Sequence, residues 1–158
     1  MSHPPSPLEL RPFESADAEQ VAPWLDGPGL SVPPGQAWVD RLVADRRIVA
    51  LVAHRGGDNV GLVRLDCGPD GGAELTIVVD AGRRRQGIGA EMFALMLHHA
   101  RRVGMRRLLA NVDVSNEAAL SFFAGMGFEG RGASGSRLRM ERLLHASGPS
   151  TAPLDVVV

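Results

Sequence analysis

The chain has 158 residues, 44% of them hydrophobic, and a formal net charge of −1. This length allows one domain with a substantial core, and the near-zero charge provides no global field that would attract nucleic acid or an anionic membrane. The first residues lack the basic and apolar stretches of a signal peptide, and no apolar run approaches the roughly 20 residues that cross a bilayer. A single cysteine, Cys67, excludes an internal disulfide. We therefore expect a cytoplasmic protein with no nucleic-acid and no membrane partner.

The N-terminal third combines short regular segments with turns. Residues 8–13 alternate in polarity and predict a first strand. A helix is expected to begin near Asp17 and to be shortened by Pro23, and a second helix is expected over residues 36–46. Between the two helices, the glycines and prolines of residues 26–34 indicate a turn region.

Three strands are expected next, because three β-branched segments alternate with glycine-rich turns. These segments cover residues 47–54, 60–67 and 74–80. The turns between them, at residues 55–59 and 69–72, are too short for a crossover, so the strands must pair antiparallel.

A long helix connects the third of these strands to the next one. Residues 88–103 repeat apolar side chains near the 3.6-residue period, and Gly104 ends the pattern. The side chains expected to face the core are Ile88, Met92, Leu95, Met96, His99 and Val103. Because a helix separates residues 74–80 from the strand expected at 107–113, these two strands can be parallel neighbours with a right-handed crossover.

The last part of the chain predicts one more helix and a hairpin. Ser115 or Asn116 is expected to cap the helix, which ends at Gly127. Residues 128–132 and 137–144 are expected to form the hairpin.

These elements indicate a single domain over residues 8–145. We expect residues 1–7 to be disordered and residues 146–158 to form a tail. The apolar end of this tail suits either an exposed sheet edge in a dimer or a frayed terminus, so a monomer and a homodimer both remain open.

The turn before the long helix has the features of an anion site. Gly87 and Gly89 lack Cβ atoms where the backbone would approach a ligand closely. The start of a helix offers unpaired N–H groups and the positive end of the helix dipole. Guanidinium groups suit phosphate, and three of them precede the helix, on Arg83, Arg84 and Arg85. A solvated basic turn followed by an ordinary helix is the alternative.

Two known phosphate-binding motifs match this turn poorly. A P-loop requires Gly-Lys-Ser/Thr at its end, whereas Gly89 is followed by Ala90 and Glu91, which excludes it. A dinucleotide fingerprint requires a third glycine where this chain has Met92. Asp113 does end the next strand, where a ribose-binding acid would lie, so this second interpretation survives weakly.

A third pattern matches the chain at two places. Residues 84–89, Arg-Arg-Gln-Gly-Ile-Gly, resemble the Q/R-x-x-G-x-G/A signature of the GCN5-related N-acetyltransferase (GNAT) superfamily. Residues 116–128 resemble the N-x-x-A-x-x-x-Y-x-x-x-G-F segment of the same family, with one departure at Phe123. The order and separation of the two motifs also agree with the family.

The resemblance implies both a fold and an activity. The implied α/β fold is a mixed, twisted, mostly antiparallel sheet of about seven strands, flanked by about four helices, with a central parallel pair splayed to admit coenzyme A. The implied activity is transfer of an acetyl group from acetyl-CoA, a co-substrate used without a metal, to a primary amine by direct attack in a ternary complex. Since the family accepts many amines, the acceptor is expected only to be a small molecule.

The resemblance also assigns residues to the cofactor. The cofactor arm would pair with the main chain of Ile77, Val78 and Val79, and a bulge there would direct the N–H of Val78 at the thioester carbonyl. The other residues implied in cofactor binding are Arg84, Arg85, Gln86, Gly87, Ile88, Gly89 and Ala90 at the pyrophosphate, and Asn116, Ala119 and Phe123 beside the arm.

Amine attack requires a base, because a free alkylamine is mostly protonated at neutral pH. Glu74 is the candidate base, acting directly or through water, because family members often carry a catalytic carboxylate at the start of this strand. A solvated charge at a strand end is the alternative for Glu74. Asp66 and Asp113 are weaker candidates for the same role.

The family's usual acid, a tyrosine, is replaced here by Phe123, which has no proton to give. Either the thiol takes its proton from water, or Ser115, Ser121 or a group of the acceptor substitutes for the acid. The same replacement supports a second hypothesis, an acetyl-CoA-binding regulatory or sensor module with little turnover. A dinucleotide-binding domain is the third and weakest hypothesis.

Overall fold

The computed structural model describes residues 6–25, 37–83 and 87–144. Residues 1–5, 26–36, 84–86 and 145–158 lie outside the described residues. They include the turn predicted at residues 26–34, the two arginines and the glutamine of the predicted anion site, and the tail predicted at residues 146–158.

The described residues form seven strands and four α-helices. The strands are β1 (Leu8–Pro12), β2 (Ile48–Arg55), β3 (Asp58–Cys67), β4 (Gly72–Val79), β5 (Arg107–Asp113), β6 (Glu129–Ser134) and β7 (Arg137–Leu143). The helices are α1 (Ala18–Val21), α2 (Ala37–Ala44), α3 (Ile88–Arg102) and α4 (Glu117–Gly125). None of these helices has the length and apolar character needed to cross a membrane.

All seven strands belong to one sheet with the order β1-β2-β3-β4-β5-β7-β6. Neighbouring strands pair antiparallel except β4 and β5, which are parallel and joined by α3. Between β2 and β3, Gly56 and Gly57 have φ angles of 59° and 89°, as a two-residue hairpin turn requires. The expected mixed sheet with a central parallel pair is therefore confirmed.

The parallel pair is joined at one end only. Pairing covers Gly72 with Arg107, Ala73 with Leu108 and Glu74 with Leu109, whereas both strands continue several residues further. Beyond Glu74 the two strands diverge. We call the space between residues 75–79 and residues 110–113 the β4–β5 cleft, with its closed end at Glu74.

The sheet separates two cores. α3 and α4 pack on one face, where Met92, Met96 and Leu108 are each 0% exposed. α1 and α2 lie on the other face, where Trp38 packs in a cluster that includes Val78 of β4. Each face of β4 is therefore covered by a different pair of helices.

The buried side of α3 differs from the expected one. Ile88, Met92 and Met96 are buried as predicted, but Leu95 and Val103 are 38% and 57% exposed, and His99 is half-buried. The remaining buried positions of the helix are Phe93, Leu97 and Ala100. The 3.6-residue pattern of apolar side chains fits two adjacent faces of this helix, so it cannot tell which face is buried. In the structure, the face that packs on the sheet is the one that carries Phe93 and the small Ala100.

A buried ion pair attaches the first helical segment to the sheet. Asp17 is 7% exposed and accepts two hydrogen bonds from the guanidinium of Arg11, at 2.9 and 2.7 Å, and one from the Glu14 amide at 2.8 Å. Arg11 also donates to Asn59 at 3.2 Å, which links this corner to β3. Chiefly because of the Arg11 hydrogen bonds, the pKa of Asp17 lies below its ordinary value.

Asp17→Asn is expected to destabilise the fold by about 2–3 kcal/mol at neutral pH, because it leaves the Arg11 charge without its partner. A carboxyl with a lowered pKa stabilises the fold above its unfolded-state pKa of about 3.9, and this contribution disappears as the pH falls through the folded pKa. The stability difference between wild type and variant should therefore shrink below about pH 4. Urea unfolding at several pH values measures it; a difference that stays constant down to pH 2 would contradict this account.

Candidate active site

Glu74 lies at the closed end of the β4–β5 cleft. It occupies the last position at which β4 pairs with β5, and its side chain is exposed. It faces the same side of the sheet as Val78, the side of α1 and α2. Within the described residues, Glu74 makes no ion pair or hydrogen bond. This carboxylate is therefore free to meet a ligand at the point where the strands separate.

The two weaker candidates for the base are already engaged. Asp66 lies directly opposite Glu74 on β3, but Arg64 holds its carboxylate with hydrogen bonds of 2.9 to 3.2 Å. Asp113 accepts hydrogen bonds from the amide and hydroxyl of Ser115, at 3.0 and 2.7 Å, and these lower its pKa. Of the three proposed bases, Glu74 is the one without such a partner.

The main-chain groups of β4 that point into the cleft belong to Ile77 and Val79. The amide of Asp80 donates to the Val60 carbonyl on β3 at 2.9 Å. Because hydrogen-bonding direction alternates along a strand, even-numbered residues of β4 bond to β3 and odd-numbered residues face β5. Past the paired end, Ile77 and Val79 therefore present a free strand edge.

This register corrects the expectation for Val78. The pairing of β3 with β4 is unbroken from Gly61–Val79 to Cys67–Ala73, so the expected bulge in β4 is wrong. The amide of Val78 consequently points to Leu62 on β3 and away from the cleft. An extra residue here would turn Val78, which is 4% exposed, out of the core under α1 and α2.

The open end of the cleft meets the first turn of α3. Gly87 caps this helix with a φ angle of 76°, a left-handed conformation that favours glycine. The first amide to bond back along the helix is that of Glu91, which donates to the Gly87 carbonyl at 3.2 Å. The amides of Ile88, Gly89 and Ala90 precede it and have no partner within the helix. Such unpaired amides are the groups that the anion site expected from the sequence would use.

Gly89 lies close to the ring of Phe122, a contact that was not expected from the sequence. A Cβ at this position would lie 3.2 Å from Cε1 of Phe122 and 3.7 Å from Cγ2 of Val79. The missing side chain therefore makes room for the Phe122 ring. By contrast, none of the described residues comes within 4 Å of a Cβ on Gly87.

The first of the three arginines contacts acidic side chains. Arg83 forms ion pairs with Asp58 at 3.3 Å and Asp80 at 3.5 Å. These contacts hold the start of the turn against the β2–β3 hairpin. Arg83 therefore positions the turn, and its charge is largely compensated.

Asn116 has the position and the cap expected of it. Its side-chain oxygen accepts a hydrogen bond from the Ala119 amide at 3.1 Å, so Asn116 caps α4. The amide nitrogen of the same side chain makes no hydrogen bond within the described residues. This half-buried NH₂ group is available to a ligand.

Phe123 lies in the core. Its ring is 8% exposed and packs edge-on against Phe122 at 5.3 Å and Phe128 at 5.1 Å between centroids. Phe122, which sequence reasoning did not assign, contacts the α3 turn instead. Its place beside Gly89 could not be read from the sequence, because it depends on how α3 and α4 pack. Among the described residues, no group of three His, Cys, Asp or Glu side chains is arranged to hold a metal ion.

Three comparisons with known proteins agree with this geometry. Residues 6–128 match the model of the acetyltransferase (GNAT) family. A mycothiol acetyltransferase from Thermomonospora curvata is 28% identical over 117 residues, which cover 73% of this chain and 33% of that protein. The chain thus spans about a third of the length of this relative.

Solved structures show the same fold at low sequence identity. A spermidine N-acetyltransferase SpeG chimera from Vibrio cholerae and hSSAT superposes with a TM-score of 0.76 at 18% identity, covering 86% of this chain and 95% of that one. The PaiA N-acetyltransferase from Thermoplasma acidophilum, in complex with coenzyme A, gives 0.72 at 16% identity, covering 87% and 99%. With the family match over most of the chain, these findings show that the protein belongs to the acetyltransferase (GNAT) family.

Proposed function

We propose that this protein transfers the acetyl group of acetyl-CoA to a primary amine of a small molecule, within a ternary complex. The observation that carries the proposal is the β4–β5 cleft, which has a free carboxylate at its closed end and an anion-binding turn at its open end. Acetyl-CoA has the matching chemistry, with a pyrophosphate at one end of its arm and a reactive thioester at the other.

The residues present fit this cofactor. At the first turn of α3, no described residue lies within 4 Å of a Cβ on Gly87, and the amides of Ile88, Gly89 and Ala90 have no partner within the helix. These features suit a pyrophosphate. The free edge of β4 at Ile77 and Val79 suits the amide groups of the arm, as another strand would. The NH₂ of Asn116 lies on the α4 side of the cleft and would add a hydrogen bond.

The chemistry assigned to this chain is removal of a proton from the amine. Bound acetyl-CoA would supply the acetyl group as a thioester. Glu74 is placed to take the proton from an amine that approaches over the α1–α2 face, directly or through one water. The cleft-facing amide of Ile77 replaces that of Val78 as the candidate for stabilising negative charge on the thioester oxygen.

On this proposal, water protonates the departing thiolate. The sequence contains no tyrosine, and Phe123 is buried among aromatic rings with no proton to give. The hydroxyl of Ser115 donates to Asp113. An ordinary thiol has a pKa near 8.5, so the thiolate is a moderate leaving group without an acid.

Small-molecule acetylation also recurs among the similar proteins. One relative is named a mycothiol acetyltransferase, and several structural neighbours are named spermidine N-acetyltransferases. These names support a small acceptor for this chain.

A second candidate function is an acetyl-CoA-binding module with little turnover, which the absence of an acid at Phe123 favours. Thiol release measured with acetyl-CoA and a broad panel of amines separates the two. Turnover with any amine supports the enzyme; tight acetyl-CoA binding without turnover on the whole panel supports the module. No binding of acetyl-CoA would refute both.

Gly87→Val is expected to weaken acetyl-CoA binding at least tenfold, because a branched residue at a φ angle of 76° strains the turn by about 1–3 kcal/mol and fills the open side. Gly104→Val is the matched control. Gly104 ends the same helix with a φ of 82° and open space around it, so it carries similar strain far from the cleft. Calorimetric titration should show a loss only for Gly87→Val; equal losses would reject the turn as the pyrophosphate site.

Asn116→Ser and Asn116→Ala should separate the cap from the cofactor contact. Serine keeps a capping oxygen, so only the alanine variant should lose about 1 kcal/mol of stability. Both variants remove the NH₂ donor and should weaken acetyl-CoA binding about three- to tenfold. If Asn116→Ser binds acetyl-CoA with the wild-type Kd, the role of Asn116 is limited to capping α4.

A further inference from the structure

Phe122 crosses the open end of the β4–β5 cleft on the side of α3 and α4. It belongs to α4, which follows β5, yet two of its ring carbons lie 3.2 and 3.7 Å from the position that a Cβ on Gly89 would take. Cγ2 of Val79, at the end of β4, lies 3.7 Å from the same point. The ring therefore reaches from the β5 side of the cleft to the strand and helix turn on the other side.

The ring is fixed on one side and open on another. Phe123 packs against it edge-on, with 5.3 Å between centroids and an interplanar angle of 79°. Phe123 is in turn held by Phe128 in the core. Phe122 itself is only half-buried, so it presents apolar surface directly beside the turn assigned to the pyrophosphate.

We propose that Phe122 positions the cofactor arm, as an apolar wall against which the branched pantoyl segment of coenzyme A packs. This inference rests on the proposed function. The pantoyl segment carries two methyl groups and directly follows the pyrophosphate. With the pyrophosphate on the amides of residues 88–90, the contact of Phe122 with Gly89 places the ring next to that segment.

The pairing of Gly89 with Phe122 supports the same role. A side chain on Gly89 would displace the ring by at least a few tenths of an ångström, because 3.2 Å is tighter than an ordinary carbon contact. Glycine at position 89 therefore leaves the space that the ring occupies. Glycine at 89 and the ring at 122 form one complementary surface at the entrance of the cleft.

The test compares two ligands on three proteins. Coenzyme A contains the arm, whereas 3′-phospho-ADP has the same nucleotide and pyrophosphate without it. For Phe122→Ala, calorimetric titration should show a Kd for coenzyme A about tenfold above wild type, because the apolar contact with the arm is lost. The Kd for 3′-phospho-ADP should stay within about twofold of wild type, and Phe122→Leu should recover most of the coenzyme A affinity.

Phe128→Leu is the control for a merely structural role. Phe128 is 4% exposed in the same aromatic cluster, so its variant should lower the unfolding temperature without separating the two ligands. Equal weakening of both ligands by Phe122→Ala would show that the ring only supports the turn and would overturn the proposal. If Phe122→Ala bound coenzyme A as tightly as wild type or more tightly, the proposal would also be overturned, since the ring would then make no favourable contact with the arm. Wild type that binds neither ligand would instead refute the proposed function itself.

Discussion

Glu74→Gln is expected to lower kcat by about 10²- to 10⁴-fold and to leave the Kd for acetyl-CoA within about twofold of wild type. Glutamine keeps the size and hydrogen-bonding capacity of the side chain but cannot accept a proton from the amine. Because the side chain of Glu74 is exposed and makes no hydrogen bond or ion pair within the described residues, its replacement should not disturb the fold. The selective loss of kcat would identify the base, and it is measured by thiol release together with calorimetric titration of acetyl-CoA.

Asp66→Asn is the matched control, because Asp66 lies opposite Glu74 in the sheet and is held by Arg64. The kcat of this variant should stay within a few fold of wild type, since a carboxylate already held by Arg64 is a poor proton acceptor for the amine. If Asp66→Asn causes the large loss and Glu74→Gln does not, the assignment of the base is wrong. If both variants turn over at the wild-type rate, neither carboxylate acts in the reaction.

The features that the sequence predicted correctly have local causes. Gly104 ends α3 with a φ of 82°, and Asn116 caps α4 through the Ala119 amide, because each of these residues acts on its own neighbours in the chain. The direction of strand pairing was predicted from the lengths of the connections. The turns between β2, β3 and β4 are too short for parallel pairing, whereas the connection through α3 is long enough for β4 and β5 to be parallel. The start of α3 directly after Gly87 is local in the same sense.

The features that were predicted wrongly, or not predicted at all, depend on contacts between distant segments. Leu95 was expected inside because it fits the period of α3, but the sheet selects the neighbouring stripe that carries Phe93. The amide of Val78 was expected to face the cofactor, but its direction is set by the register of β3 against β4. Phe122 contacts Gly89 across the cleft, and no pattern within α4 distinguishes that contact from ordinary core packing.

Gly61→Ala is expected to destabilise the protein by about 3 kcal/mol, which corresponds to a fall of about 10 °C in the unfolding temperature of a domain of this size. A Cβ on Gly61 would lie 2.6 Å from Sδ of Met92 and 2.7 Å from the Val78 carbonyl oxygen. Met92 is 0% exposed and has little room to move. The carbonyl is main chain of β4, so relieving that contact would push β4 away from β3 and change the edge that β4 presents to the cleft.

Gly125→Ala provides the matched control, because Gly125 ends α4 and a Cβ there would meet none of the described residues within 4 Å. The same substitution should be neutral or stabilising by up to about 1 kcal/mol at this position, since alanine favours the helix. Thermal unfolding of the two variants should therefore move in opposite directions or differ by several degrees. If Gly61→Ala unfolds at the wild-type temperature, Met92 and β4 can both move aside at little cost. The close approach of α3 and of β4 to Gly61 would then not be the constraint described above.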